Sequence, residues 1–131
     1  MAEMLTFELV APERKLASAE AEAVTIPGAE GDITPGAHHA AFLTTLRPGF
    51  VTVIGGDAAA QYFVTGGFAE ISGNTVSVLA EEAFEAGEID RAWLDGRIGE
   101  LEGALDQVAE DRKMAEAQRI NDFKALAEQI G

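Results

Sequence analysis

"TVSVLAEEAFEAGEIDRAWLDGRIGELEGAL" (Thr75–Leu105) changes its period part-way along. "TVSVLAEEA" continues an alternation of apolar and polar residues that suits a strand with one buried face. After Gly87 the apolar residues Leu94, Ile98, Leu101, Leu105 and Val108 recur at spacings of 4, 3, 4 and 3, which is one stripe on a helix. A period of two gives way to a period of 3.6 across a few residues, so two architectures meet near residue 85.

Upstream the alternation is oldest in "MLTFELVA" (Met4–Ala11), where Leu5, Phe7 and Leu9 alternate with Thr6, Glu8 and Val10. "AEAVTIPG", "AAFLTTLRPG", "FVTVIGGD" and "QYFVTGGFAEISGN" repeat it between breaks at Pro27-Gly28, Pro48-Gly49, Gly55-Gly56-Asp57, Gly66-Gly67 and Gly73-Asn74. Short strands divided by turn residues every eight to twelve positions predict an all-β sandwich or barrel. No long helical pattern intervenes, which excludes a parallel α/β sheet.

Downstream, the residues from Gly87 to Gly131 contain no proline, and Ile120, Phe123, Ala127 and Ile130 form a second helical stripe. A straight rod of that length would have little to bury against, so a hairpin bent between Leu105 and Asp111 is expected. Gly96, Gly99 and Gly103 fall inside the first helix, where each costs about 1 kcal/mol relative to Ala. The expectation is that they let another backbone approach closely. The alternative is that they keep the helix marginal so that it can rearrange. The reading is therefore an α+β chain, a β domain over residues 1–84 and a helical hairpin over residues 85–131.

Charge and composition exclude several functions. The 131 residues carry 23 acidic and 9 basic side chains, a net charge of −14. Nucleic acid demands basic patches, and anionic lipid surfaces demand the same, so neither is an expected partner, and no direct lipid insertion is expected. A protein with basic loops is the natural complement. The acidic residues are spread through both halves, 11 against 3 basic up to Phe84 and 12 against 6 after it. With no cysteine, thiolate metal sites, disulfides and thiol nucleophiles are absent. The opening "MAEMLTFELV" has neither a basic n-region with an apolar run nor Arg-rich transit character, and no stretch reaches the length that spans a bilayer. The chain is expected to begin here and to stay in its own compartment.

One stretch concentrates chemistry-bearing residues. "PGAEGDITPGAHH" (Pro27–His39) holds two prolines, three glycines, two carboxylates and both histidines. Adjacent His38 and His39 point to opposite sides of a strand, and on a loop His39 would need Glu30 or Asp32 to hold a metal. No HExxH pairing supports that. No glycine motif with a lysine makes a phosphate cradle, and the charges of Glu30 and Asp32 would repel one. Ser18, Ser72 and Ser77 stand in no nucleophile elbow. No cofactor, metal or catalytic residue is therefore expected, and a shaped docking loop is the reading that remains.

Four segments come in order: "PGAEGD" (Pro27–Asp32), "TTLRPG" (Thr44–Gly49), "FVTGGFAEI" (Phe63–Ile71) and "VSVLAEEA" (Val76–Ala83), followed by a helical hairpin opening with "EIDRA". Together they resemble the ε subunit family of F-type ATP synthases, the bacterial equivalent of the mitochondrial δ subunit. The resemblance implies an N-terminal flattened β-sandwich and a C-terminal antiparallel α-helical hairpin. It implies a non-catalytic rotor subunit of the central stalk, bound to the γ subunit and resting on the c-ring, that helps couple proton flow to ATP synthesis in the α/β catalytic head. The place implied is peripheral, on the cytoplasmic face of the bacterial inner membrane.

Residue by residue, Glu30, Gly31 and Asp32 match the family's ring-facing "GxEG[DE]", and His39-Ala40 match the centre of its "GHAP". His38 and Ala41 replace the flanking Gly and Pro. In the hairpin, Ile89 and Asp90 match the start of a nucleotide-binding I/L-D-x-x-R-A motif. Trp93 and Leu94 stand where its Arg and Ala belong, so the motif is degenerate. The hairpin's excess of acidic residues predicts at most weak inhibition of ATP hydrolysis. A free-standing sandwich that binds a signalling protein is the competing reading, and a small hydrolase using His39 the third.

Overall fold

The computed structural model describes residues 4–35, 39–56 and 61–130. The chain divides into two compact units, Met1–Ala86 and Gly87–Gly131.

Among the described residues the first unit has ten strands: β1 (Leu5–Ala11), β2 (Arg14–Ala21), β3 (Ala23–Gly28), β4 (Gly31–Ile33), β5 (His39–Leu46), β6 (Gly49–Ile54), β7 (Gln61–Val64), β8 (Gly67–Gly73), β9 (Thr75–Ala80) and β10 (Ala83–Glu85). They run in the order β10-β7-β6-β3-β5-β8-β9-β1-β2, with β4 paired on β3. The run folds into two layers at β3. Its first residues, Ala23 to Thr25, pair with β6, whereas Gly28 pairs with Leu46 of β5. That the layers face each other is shown by Phe7 of β1 and Tyr62 of β7, far apart in strand order, whose rings lie 6.2 Å apart.

The alternation read from sequence is the core pattern. Leu5, Phe7 and Leu9 are buried, as are Ala69 and Ile71 of β8 and Val76, Val78 and Ala80 of β9. These meet Val24, Ile26, Val51, Val53, Tyr62 and Val64 of the other layer in one cluster. Burying large apolar side chains on both sides supplies most of the stabilisation. The fold is thus a β-sandwich followed by two helices, the α+β class expected.

Three strands are not announced by the sequence. β2 pairs antiparallel with β1 and ends the sheet order. Its exposed Arg14, Lys15 and Glu20 hide its alternation, because its inward residues are the small Ala17 and Ala21. Charged residues on such an edge also discourage pairing with another chain. β4 and β10, at three residues each, are too short for periodicity to register.

The second unit is a helical hairpin of α1 (Arg91–Ala104) and α2 (Lys113–Ile130). Short 3-10 turns at Leu105–Gln107 and Glu110–Arg112 flank Val108 and Ala109, whose ψ angles of 140° and 144° are extended. The bend thus falls inside the segment expected. Leu94 and Ile98 of α1, and Ile120, Phe123 and Ala127 of α2, are buried. Polar ties join the antiparallel helices: Arg91 Nη1 donates to the Ala127 carbonyl at 2.9 Å, and Lys124 pairs with Glu102 at 2.9 Å.

The expectation for the α1 glycines is overturned. A Cβ placed on Gly96, Gly99 or Gly103 would meet nothing within 4 Å. At 3.6 residues per turn Gly96 and Gly103 lie about half a turn round the helix from Leu94 and Ile98, and Gly99 about a third of a turn, so all three fall outside the apolar stripe. No backbone approaches them.

Candidate docking site

The Pro27–Asp32 stretch is a tight β3–β4 hairpin. Pro27 pairs with Asp32 and Gly28 with Gly31, leaving Ala29 and Glu30 as the two-residue turn. Gly31 has a φ of +147°, a conformation that favours glycine. A Cβ on Gly28 would come within 2.7 Å of the Gly31 carbonyl oxygen. Glycine is therefore required on both sides of the turn.

The hairpin is fastened to the end of β5 and the start of β6. The Ala29 amide donates to the Thr45 carbonyl and the Arg47 amide to the Pro27 carbonyl, both at 3.0 Å. The two Pro-Gly pairs interlock, since a Cβ on Gly49 would sit 2.8 Å from Pro27 Cβ. The Arg47 guanidinium then spans the hairpin. Nη1 donates to the Gly28 carbonyl, and Nη2 meets Asp32 Oδ1 at 2.6 Å. "PGAEGD" and "TTLRPG", separate in sequence, are one piece of structure.

The sequence-derived site residues therefore have different situations. Glu30 is exposed at the tip of the turn, and Gly31 forms it. Asp32 is exposed but already paired with Arg47. The backbone of His39 pairs with Gly73, while its side chain and all of His38 lie outside the described residues. Among the described residues no group of three or more His, Cys, Asp or Glu could hold a metal ion.

Residues that sequence reasoning did not single out complete the site. A shallow groove runs beside the turn, lined by Glu30, Asp32, Ile33, Phe42, Leu43 and Thr45. Phe42 is 42% and Leu43 64% exposed, large apolar side chains next to a carboxylate. A register shift between His39 and Phe42 breaks the alternation of β5, which is why periodicity does not reveal which of them faces out. On the outward side of the same layer, exposed Phe68 of β8 pairs with exposed Leu79 of β9, and Leu79 pairs with half-buried Val10 of β1. Apolar side chains grouped in this way mark a surface that another protein covers.

In the second unit both residues of the degenerate motif have a structural place. Asp90 caps α1, its Oδ1 accepting from the Trp93 amide at 2.8 Å. Ile89 is buried. Trp93, in the place of the motif's arginine, carries the Arg97 guanidinium over its ring at 4.7 Å.

Residues 4–86, the sandwich, match the family described as the β-sandwich domain of the ATP synthase delta/epsilon chain. The chain belongs to the ATP synthase delta/epsilon family. An ATP synthase epsilon chain from Fuscovulum blasticum is 44% identical over 131 residues, 100% of this chain and 99% of that one. Another from a Ruegeria species is 50% identical over 111 residues, 85% and 81% of the two chains. Among solved structures, a chain of the Euglena gracilis mitochondrial ATP synthase, in an assembly of OSCP, F1 and c-ring, superposes with a TM-score of 0.73. It covers 100% of this chain and 83% of that chain at 23% identity, a likeness of fold.

Proposed function

We propose that this chain is the ε-type rotor subunit of a bacterial F-type ATP synthase, a non-catalytic part of the central stalk. Its sandwich docks on the γ subunit and on the c-ring, and it carries c-ring rotation to the α/β catalytic head, where ATP is made. The observation that carries this reading is the end-to-end identity with epsilon chains, 44% over 131 residues. The groove at Glu30 supplies the ring contact, with a carboxylate for a basic loop and an apolar shelf beside it. The Phe68–Leu79 face suits the larger, permanent contact with γ, where apolar area counts most.

The charge distribution supports a basic partner. Of the three basic residues before Phe84, two are engaged within the unit: Arg14 donates to the Ala83 carbonyl, and Arg47 holds Asp32. The carboxylates of the sandwich outnumber its basic residues by 11 to 3. No described helix is long and apolar enough to cross a membrane, which is compatible with a peripheral place on the cytoplasmic face of the inner membrane.

Cysteine cross-linking tests the docking. The chain has no native cysteine, so Glu30→Cys and Leu43→Cys give unambiguous links. Both are expected to link to c in the assembled enzyme. Ring-bound protein that forms no such link from either position would sink the assignment of this edge.

The hairpin is proposed to inhibit ATP hydrolysis only weakly. Its 12 acidic against 6 basic residues gain little beside acidic segments of the head. Its Asp90 caps α1 by accepting from the Trp93 amide. Removing residues 88–131 is expected to raise hydrolysis by the assembled enzyme by less than about twofold, because like charge disfavours the inserted state. A steep rise in hydrolysis on truncation would show that the hairpin is a strong inhibitor after all.

A further inference from the structure

We propose that Arg47 is the positioning residue of the docking edge, and that Asp32 acts through Arg47 rather than by touching the partner. This rests on the docking reading of the Glu30 turn given above. Two carboxylates flank Gly31, and sequence alone offers both to the ring. The structure separates them. Asp32 meets Arg47 Nη2 at 2.6 Å, whereas Glu30 stands exposed in the β3–β4 turn.

The geometry of the guanidinium gives the reason. Nη1 reaches the Gly28 carbonyl on β3 and Nη2 reaches Asp32 on β4, so one planar fork clamps both strands of the hairpin just below its turn. The Arg47 amide bonds Pro27, and the Ala29 amide bonds Thr45, so the clamp is anchored in the chain that leaves β5. Phe42 and Leu43 lie on that same strand. Arg47 thereby fixes the spacing between the acidic tip and the apolar shelf of one two-part site. A lysine would keep the charge but not the planar fork that aims two N–H groups at separate acceptors, so more side-chain freedom is lost for each bond it makes. The Arg47 side chain is 33% exposed against 62% for Asp32, so the anchored partner of the pair is the arginine.

The test uses the full-length chain and a γ–c-ring assembly stripped of this subunit, with two readouts. These are the dissociation constant of the complex, and hydrogen exchange at the Ala29 amide of the free chain. R47Q and D32A are each expected to weaken docking by about three- to tenfold and to speed Ala29 exchange, with R47K between R47Q and the native chain. The double variant D32A/R47Q is expected to dock no more weakly than R47Q alone, because the two residues form one device. Glu30→Gln is expected to weaken docking without changing Ala29 exchange, and its loss should multiply with that of R47Q.

Losses from D32A and R47Q that multiply would overturn the proposal, since Asp32 would then touch the partner independently. So would R47Q docking as tightly as the native chain while Glu30→Gln and Leu43→Asp dock weakly. If Glu30→Gln and Leu43→Asp also dock like the native chain, the docking assignment itself is wrong and the role of Arg47 falls with it.

Discussion

Gly67→Ala is expected to destabilise the sandwich by about 2–6 kcal/mol. Two costs combine. The residue sits at a φ of +129°, which a side chain rarely adopts. A Cβ there would lie 2.2 Å from the Leu79 carbonyl oxygen and 2.9 Å from Ala80 Cα. Both are backbone atoms, and Gly67 pairs with Leu46 on one side and Ala80 on the other, so neither neighbour can withdraw. Gly31 separates the two costs. Its φ is +147°, yet a Cβ there meets nothing within 4 Å, so Gly31→Ala should lose only the backbone term, about 1–3 kcal/mol. Denaturant unfolding of the full chain checks this, with the single Tyr62 in the sandwich and the single Trp93 in the hairpin reporting on separate units. Equal midpoints for the Gly67 and Gly31 variants would refute the steric part of the account.

The contrast also shows what the sequence could reveal. Gly66-Gly67 reads as a break between strands, and it is one, but the need for glycine at Gly67 comes from Leu79, twelve residues away. The core positions were legible because burial in a sheet imposes a period of two: Leu5, Phe7, Leu9, Val76 and Val78 are inside as alternation requires. The hairpin bend was legible because an apolar stripe must end where the chain reverses. β2 was not, since its inward residues are alanines and its polar residues are those of an edge.

The site follows the same division. Glu30, Gly31 and Asp32 were found by motif, and the turn they form is real. That Asp32 is paired with Arg47 depends on a contact across fifteen residues, which no local pattern encodes. The clue available was composition: with only three basic residues before Phe84, each was a candidate for a specific partner. Phe42 and Leu43 were hidden by the register shift in β5, which removes the alternation that would have declared a side chain out of place. Motif reading thus finds where a loop is, and the tertiary pairing decides which of its charges are available.

The α1 glycines are the reverse case, where a local signal was plain and its expected cause is absent. Replacing Gly96, Gly99 and Gly103 together by alanine is expected to stabilise the hairpin by about 2–3 kcal/mol, from about 1 kcal/mol per residue less any loss to fraying at Gly103. Nothing lies within 4 Å to oppose the added methyl groups. The gain is large for a unit of two helices whose buried apolar residues are Leu94, Ile98, Ile120, Phe123 and Ala127, with Ile89 just before α1. The Trp93 transition should move to higher denaturant while the Tyr62 transition stays in place, because the glycines belong to the second unit alone. The docking proposed for the Glu30 turn, which lies wholly in the first unit, should not change. An unmoved Trp93 transition would mean that α1 is not held as a regular helix at these glycines in solution. The assembled enzyme then gives the reason for them. Glycines that cost helix stability and contact nothing suit a helix that unwinds or re-packs. A stabilised hairpin that docks normally but shifts the rate of ATP hydrolysis would assign them to that rearrangement.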